Sequence, residues 1–327
     1  MVQTLSVPCG CHCRYCLLSW DGHPVGADYS RCKEYAKRFH SYIREKRPEI
    51  QFHFTFGYCM EHPNLMEELD FLNSIGSVQG SFLQLDGLRI RTPAETAAFM
   101  AELREHGVQQ INLTFYGQQE YHDRFAGRRG DFAYLLLLAR SALNTGIGLS
   151  AGIPLTSENA GSADALLEQL EDEGISHTTV FIPHGEGRGA ALDSVRFTQA
   201  DFGRLGEKAK SKLNTNLFKT EAQWIASQPL PEEENRSLLL SLTPDNISQF
   251  EQMDFDAAIR YLEQLDENYY SAIPSFAELC TLYGNPNGTA FYGKRDLYQH
   301  YQRQYISENC LNIHDVNDER FCGSRRF

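Results

Sequence analysis

Along roughly the first 195 residues the spacing of apolar positions switches repeatedly between a period of two and one near 3.6. Short β-rich runs predict strands at 4–7, 51–56, 81–85, 110–115, 148–154 and 178–183. Between them, 29–46, 64–75, 93–106, 131–145 and 162–173 carry apolar residues three and four apart, as in LMEELDFL and ALLEQLEDEG, and several end at Gly. Strict alternation of this kind predicts a parallel α/β sheet: an incomplete βα barrel of about six strands, with ligands at the carboxyl ends of the strands. After Arg196 the alternation stops and the chain becomes mostly helical, so a soft boundary is drawn between 1–196 and a helical region, 197–327. Asn285-Pro286-Asn287-Gly288 is a turn signal that either closes a hairpin between LCTLY and TAFYG or ends a helix over 275–283.

Composition adds exclusions. The net charge of −13 over 327 residues argues against bulk nucleic-acid binding or coating of an anionic membrane. The longest apolar stretch, around 132–143, is interrupted by Arg140 and falls short of the roughly 20 residues a span needs. The start, MVQTLSVPCG, lacks the pattern of an export signal, and a cytoplasmic location is expected.

Of nine cysteines, Cys9, Cys11, Cys13 and Cys16 fall within eight residues, directly after the first predicted strand. In a reducing compartment, closely spaced thiols point to metal rather than disulfides. Cys9, Cys13 and Cys16 form C-x3-C-x2-C, which suits an iron–sulfur cubane with three protein ligands and one iron left open. An open iron can be chelated by a small molecule carrying an amine and a carboxylate. Tyr15 supplies an aromatic side chain beside such a ligand.

The run C-G-C-H-C-R-Y-C in this position resembles the radical SAM superfamily, whose members share C-x3-C-x-aromatic-C. The resemblance extends over about 1–195. Phe54-Thr55-Phe56-Gly57-Tyr58-Cys59-Met60-Glu61-His62-Pro63 resembles the family's second strand and its Gly-Gly-Glu-Pro turn, which contacts the amino group of S-adenosylmethionine (SAM). Tyr58 occupies the glutamate position, so either Glu61 reaches back or backbone carbonyls take the amine. Asn112 to Gly117, then His122-Asp123, Gly127, Gly130 and Phe132, resemble the segment S-L-D-G…H-D-x-x-R-G-x-x-G-S-F of peptide-modifying members. Thr114 matches its serine, whereas Ala126 stands at its arginine. Arg124, Arg128 or Arg129 is then left to meet the SAM carboxylate, with Arg128 preferred for its flanking glycines. Phe181-Ile182-Pro183 and the glycines at 185, 187 and 189 resemble the late strand and turn lining the SAM site.

The resemblance implies a [4Fe-4S] cluster on Cys9, Cys13 and Cys16, with SAM held by Tyr15, Gly57, Tyr58, Glu61, Thr114, Arg128 and Pro183. It also implies reductive cleavage of SAM to methionine and a 5′-deoxyadenosyl radical that takes hydrogen from a peptide or small biosynthetic substrate, with an electron donor such as a flavodoxin or ferredoxin as partner. The competing reading is a zinc site stapling a non-catalytic scaffold, completed by Cys11, His12 or Cys59, although no second C-x2-C pair is present. Cys11 is read as a bystander facing away from the ligands. His122-Asp123 is read as fixing a loop. The GEGRG run at 185–189 lacks the Lys and Ser or Thr of a phosphate loop. Cys280, Cys310 and Cys322 match no dense motif and are read as isolated buried thiols rather than an auxiliary cluster, and Cys32 and Cys59 as core. The tyrosines of the tail are read as packing.

Overall fold

Residues two apart on a strand share a face, and the strands of this protein use that rule to separate an apolar face from a polar one. The computed structural model describes residues 2–4, 9–16, 26–55, 61–77, 80–185, 187–227, 238–313 and 315. Within them the alternation expected from sequence is present: β1 (Val2–Gln3), α1 (Tyr29–Lys46), β2 (Phe54–Thr55), α2 (Leu65–Ser74), β3 (Phe82–Gln84), α3 (Pro93–Glu105) and β4 (Gln110–Thr114). It continues through α4 (Gln119–Ala126), α5 (Asp131–Thr145), β5 (Gly148–Pro154), α6 (Ala163–Asp172) and β6 (His177–Phe181). Of the predicted run 4–7 only Thr4 lies among the described residues, and its N–H extends the β1–β2 ladder to the Thr55 carbonyl at 3.1 Å.

The strands β1 to β6 form an open α/β arrangement and pair in parallel. β3, β4, β5 and β6 lie in that order, with Asn112 opposite Ser150 and Thr114 opposite Gly152. β2 and β1 form a second sheet, whose other edge is β8 (Leu240–Ser241). Among the described residues no ladder joins the two sheets. β8 comes from beyond residue 197, so the helical region returns a strand to the amino-terminal sheet. Leu242 N–H donates to the Gln3 carbonyl at 2.7 Å, and Thr4 Oγ1 donates to the Leu242 carbonyl at 2.9 Å.

Leu83, Leu85, Ile111, Leu113, Leu149, Ala151, Ile153 and Val180 form the apolar face of the larger sheet, buried together with residues of α3, α5 and α6. Local signals start these helices: Thr92 and Glu95 make a reciprocal capping box with Pro93 in the first turn of α3. The smaller sheet is covered by Tyr35 and Phe39 of α1, with residues of α10 (Ile247–Gln252) and α11 (Phe255–Ala272).

The rest of the carboxyl-terminal region comprises α7 (Gln199–Arg204), α8 (Glu207–Lys212), β7 (Phe218–Thr220), α9 (Glu221–Ala226), α12 (Phe276–Tyr283), β9 (Phe291–Gly293) and α13 (Lys294–Glu308). The turn at 285–288 follows α12, and TAFYG forms β9, antiparallel to β7. LCTLY is therefore helical, and no hairpin joins it to TAFYG. Tyr269 and Tyr292 pack with Trp224, Leu297 and Tyr301 in a separate apolar cluster. Among the described residues no helix is long and apolar enough to cross a membrane.

Candidate functional site

The other face of the larger sheet carries polar residues where a buried parallel sheet would be apolar. Asn112 Nδ2 donates to Gln84 Oε1 at 2.7 Å, and Ser150 Oγ donates to Asn112 Oδ1 at 2.8 Å, giving a polar rung across β3, β4 and β5. One rung nearer the carboxyl ends, Asp86 accepts from Thr114 N at 2.9 Å and Thr114 Oγ1 at 2.7 Å, and also from Gln84 Nε2. Burial raises the Asp86 pKa to about 6 against the opposing effect of these donors.

The cysteine loop is fastened to the same end of the sheet by main-chain bonds. Gly10 N–H donates to the Gly87 carbonyl at 2.6 Å, His12 N–H to Ala126 O at 2.8 Å and Arg14 N–H to Phe125 O at 2.9 Å. Two glycines permit this approach. Gly87 has φ +72°, and a Cβ there would lie 2.3 Å from Cys9 Sγ; Gly127 has φ +64°, and its Cβ would meet His12 at 3.0 Å. Ala126 is fully buried against the loop, which explains its small side chain where the resembled motif has arginine.

Tyr15 packs edge-on to Tyr116 at 5.4 Å between ring centroids, and Tyr116 stacks on Phe125 at 4.6 Å. Tyr116 Oη donates to Cys13 Sγ at 3.1 Å. Cys11 does not face away. It is 3% exposed and its thiol donates to Asp131 Oδ2 at 3.5 Å. Hydrogen bonds to Cys13 and Cys9, then burial and the Asp131 charge, push its pKa far up. Those hydrogen bonds put Cys11 on the side of Cys13 and Cys9.

Beneath the loop Asp131 gathers three partners. Besides Cys11 it accepts from His122 Nε2 at 3.1 Å and from Arg128 Nε at 3.0 Å. Tyr116 N–H donates to His122 Nδ1 at 3.1 Å, so the imidazole hydrogen sits on Nε2. Burial would raise the Asp131 pKa, but the His122 hydrogen bond and the Arg128 charge outweigh it and hold the carboxyl below the ordinary range. Asp123 accepts from Gly130 N–H at 2.6 Å and Phe132 N–H at 3.0 Å, the loop-fixing role expected of it.

Other expected ligand contacts meet different partners. Glu61 forms a bidentate pair with Arg91, at 2.9 and 2.8 Å, and accepts from Arg89 N–H at 2.9 Å, so its carboxylate is already neutralised. The Arg128 guanidinium is turned inward to Asp131 and the Leu88 carbonyl, where it braces the loop instead of presenting a free cation. Thr114 lies on the polar face, hydrogen-bonded to Asp86. Pro183 lines a small pocket beyond β6 with Leu155, Ile182, Leu192 and Phe197. Gly57, Tyr58 and Cys59 lie outside the described residues, as does Cys322. Cys32 is fully buried and Cys280 is 8% exposed among the residues around Trp224, whereas Cys310 is exposed, contrary to the buried reading. Its place just past the last turn of α13 leaves it no core to enter.

The glycine-rich turn after β6 is held by the carboxyl-terminal region. Gly185 N–H donates to Asp296 Oδ1 at 2.8 Å, and Arg196 Nη1 donates to Asp296 Oδ2 at 3.2 Å with its guanidinium 4.3 Å from the Tyr292 ring centroid. Arg196 and Asp296 are 7% and 2% exposed at their side chains, so removing one partner strands a buried charge. Asp296→Ala is therefore expected to lower unfolding free energy by about 3 kcal/mol, read by urea denaturation, since breaking a buried pair costs 3–5 kcal/mol and Arg196 keeps Asp193. A loss below about 1 kcal/mol would show that the pair does not anchor the turn.

Asp86, Tyr116, Asp131 and Asp296 were not singled out from sequence. The polar rungs did leave a trace there, as alternate Gln84 and Asp86, Asn112 and Thr114 within otherwise apolar strands. Among the described residues no three His, Cys, Asp or Glu side chains converge on a single metal ion. The fit to a cubane therefore rests on the donor set: three thiols on one loop, with a hydroxyl donor on Cys13.

Fold and site together define an α/β protein with an open parallel sheet and a thiol-rich loop fastened across the carboxyl ends of its strands. Among solved structures, the chain is similar to native anSMEcpe with bound AdoMet, at 12% identity and TM-score 0.51, over 97% of this chain and 99% of that one. A second is coproporphyrinogen III oxidase (HemN) from Escherichia coli, a radical SAM enzyme, at 12% identity and TM-score 0.46, over 93% of this chain and 89% of that one. No protein-family model matches the chain, and no curated protein matches it by sequence. At this identity the likeness to the first of these shows a shared fold.

Proposed function

We propose that the protein is a radical SAM enzyme. The observation that carries this reading is the Cys9, Cys13 and Cys16 loop tied by Gly10 to Gly87, at the end of a sheet that has the fold of an AdoMet-bound structure. Cys9, Cys13 and Cys16 would hold a [4Fe-4S] cluster, and Tyr15 and Thr114 would line the place of SAM. When bound, the cluster and SAM supply one-electron cleavage of the carbon–sulfur bond and a 5′-deoxyadenosyl radical. The chain's own part is to fix the loop, exclude water behind Tyr116 and Phe125, and present a polar surface to the substrate.

Gln84, Asn112 and Ser150 make that surface a neutral set of amides and a hydroxyl. Such a set suits a peptide, or a small polar biosynthetic intermediate, as substrate. The helical region from 197 onward selects it, and a flavodoxin or ferredoxin supplies the electron in the cytoplasm.

Anaerobic reconstitution with iron and sulfide tests the reading. The expected result is about four irons per chain, a visible iron–sulfur chromophore, and release of 5′-deoxyadenosine from SAM under a strong reductant. A colourless protein that binds zinc stoichiometrically and leaves SAM intact would establish the stapled scaffold instead.

A further inference from the structure

The acidic side chains around the cysteine loop are nearly all neutralised within the protein. Glu61 is held by Arg91 and Arg89, Asp131 by Arg128 and His122, and Glu158 by Arg14 at 2.7 Å. Asp123 caps the start of α5 through two main-chain N–H groups, where the helix dipole offsets its charge. Asp86 differs. Its donors, Thr114 N, Thr114 Oγ1 and Gln84 Nε2, are all uncharged, and among the described residues no cation lies within ion-pair distance of it.

A carboxylate offers about four lone-pair sites. Oδ2 accepts two of the three bonds and Oδ1 one, so Oδ1 retains a site. Asp86 is partly exposed on the polar face. It immediately precedes Gly87, whose carbonyl receives Gly10 N–H and whose Cα abuts Cys9. Tyr15 and Tyr116 lie close enough for its charge to bear on theirs. An anion held in place by neutral donors, open on one oxygen, next to aromatic rings and the thiol loop, fits an amino group with several N–H donors.

We propose that Asp86 receives the amino group of the methionine moiety of SAM, the contact for which the sequence offered Glu61 or backbone carbonyls. This assignment rests on the radical SAM reading above, and its test separates the two. SAM binding to the reconstituted protein is measured by equilibrium dialysis without reductant, for the parent, Asp86→Asn, Asp86→Glu and Glu61→Gln. Methylthioadenosine, which lacks the amino-acid moiety, serves as the control ligand, and iron per chain is counted for each variant.

Loss of one charge-assisted hydrogen bond corresponds to roughly 10- to 150-fold in affinity. Asp86→Asn should weaken SAM by that factor and leave methylthioadenosine within about threefold. Asp86→Glu, which keeps the charge, should recover part of the loss, and Glu61→Gln should bind SAM like the parent. A parent that binds SAM, with Asp86→Asn binding it equally well, would overturn the assignment alone. Equal weakening of both ligands would overturn it too, by showing a packing role. A parent that takes up neither iron nor SAM would overturn the functional reading and this assignment with it.

Discussion

Single replacement of Cys9, Cys13 or Cys16 by Ala is expected to abolish both the iron–sulfur chromophore and 5′-deoxyadenosine release, whereas Cys11→Ala keeps most of each. A cubane on three protein thiolates has no spare ligand, so losing one leaves two open irons and a labile cluster. Cys11 is placed differently. Its thiol is turned to Asp131 as a hydrogen-bond donor, and hydrogen bonds to Cys13 and Cys9 together with burial raise its pKa. Its loss deletes weak thiol hydrogen bonds to Asp131, Cys13 and Cys9 and leaves the Asp131 contacts with His122 and Arg128, a cost on the order of 1 kcal/mol. Iron content, absorbance and chromatographic detection of 5′-deoxyadenosine read the four variants side by side. An iron-free Cys11→Ala protein alongside an active Cys9→Ala protein would reverse the ligand assignment.

How much of this was legible beforehand depended on whether the signal was local. Helices such as α1, which begins and ends where the apolar spacing does, and α5, bounded by Gly130 and Gly146 at φ +81° and +75°, carry their start and stop signals within the segment. β8 was missed because LLLSL is an apolar run too short to separate strand from helix, and its partner Val2 lies 238 residues away. The ion pair of Glu61 was not legible for a related reason. Motif register gave its place in the chain, but its partner Arg91 approaches from the start of α3 and is set by the packing of that helix. Arg128 likewise had the right charge and flanking glycines, yet Asp131, three residues on, takes its guanidinium. Cys11 was misread because ligand spacing says nothing of Asp131, which lies 120 residues away and takes its thiol.

The second large effect is expected at Asp131, where four segments meet below the cysteine loop. Asp131→Ala should lower unfolding free energy by about 3 kcal/mol at pH 7, because Arg128, 12% exposed, loses its buried partner. Asp131→Asn should cost nearly as much despite its shape. Its amide nitrogen would face either Arg128 or the His122 Nε2–H and Cys11 donors, and His122 cannot change tautomer without setting two donors together at Tyr116 N–H. The pH dependence has a definite sign. The folded Asp131 pKa is depressed, so its contribution is complete above the ordinary Asp value near 4 and is lost as pH falls through the lower folded value. Denaturation curves at pH 7 and near pH 3 should therefore show a wide gap between parent and Asp131→Ala at the first and a narrower one at the second. An equal gap at both would mean that Asp131 stabilises the loop by packing alone. A difference below about 1 kcal/mol at pH 7 would mean that the network carries no net stability.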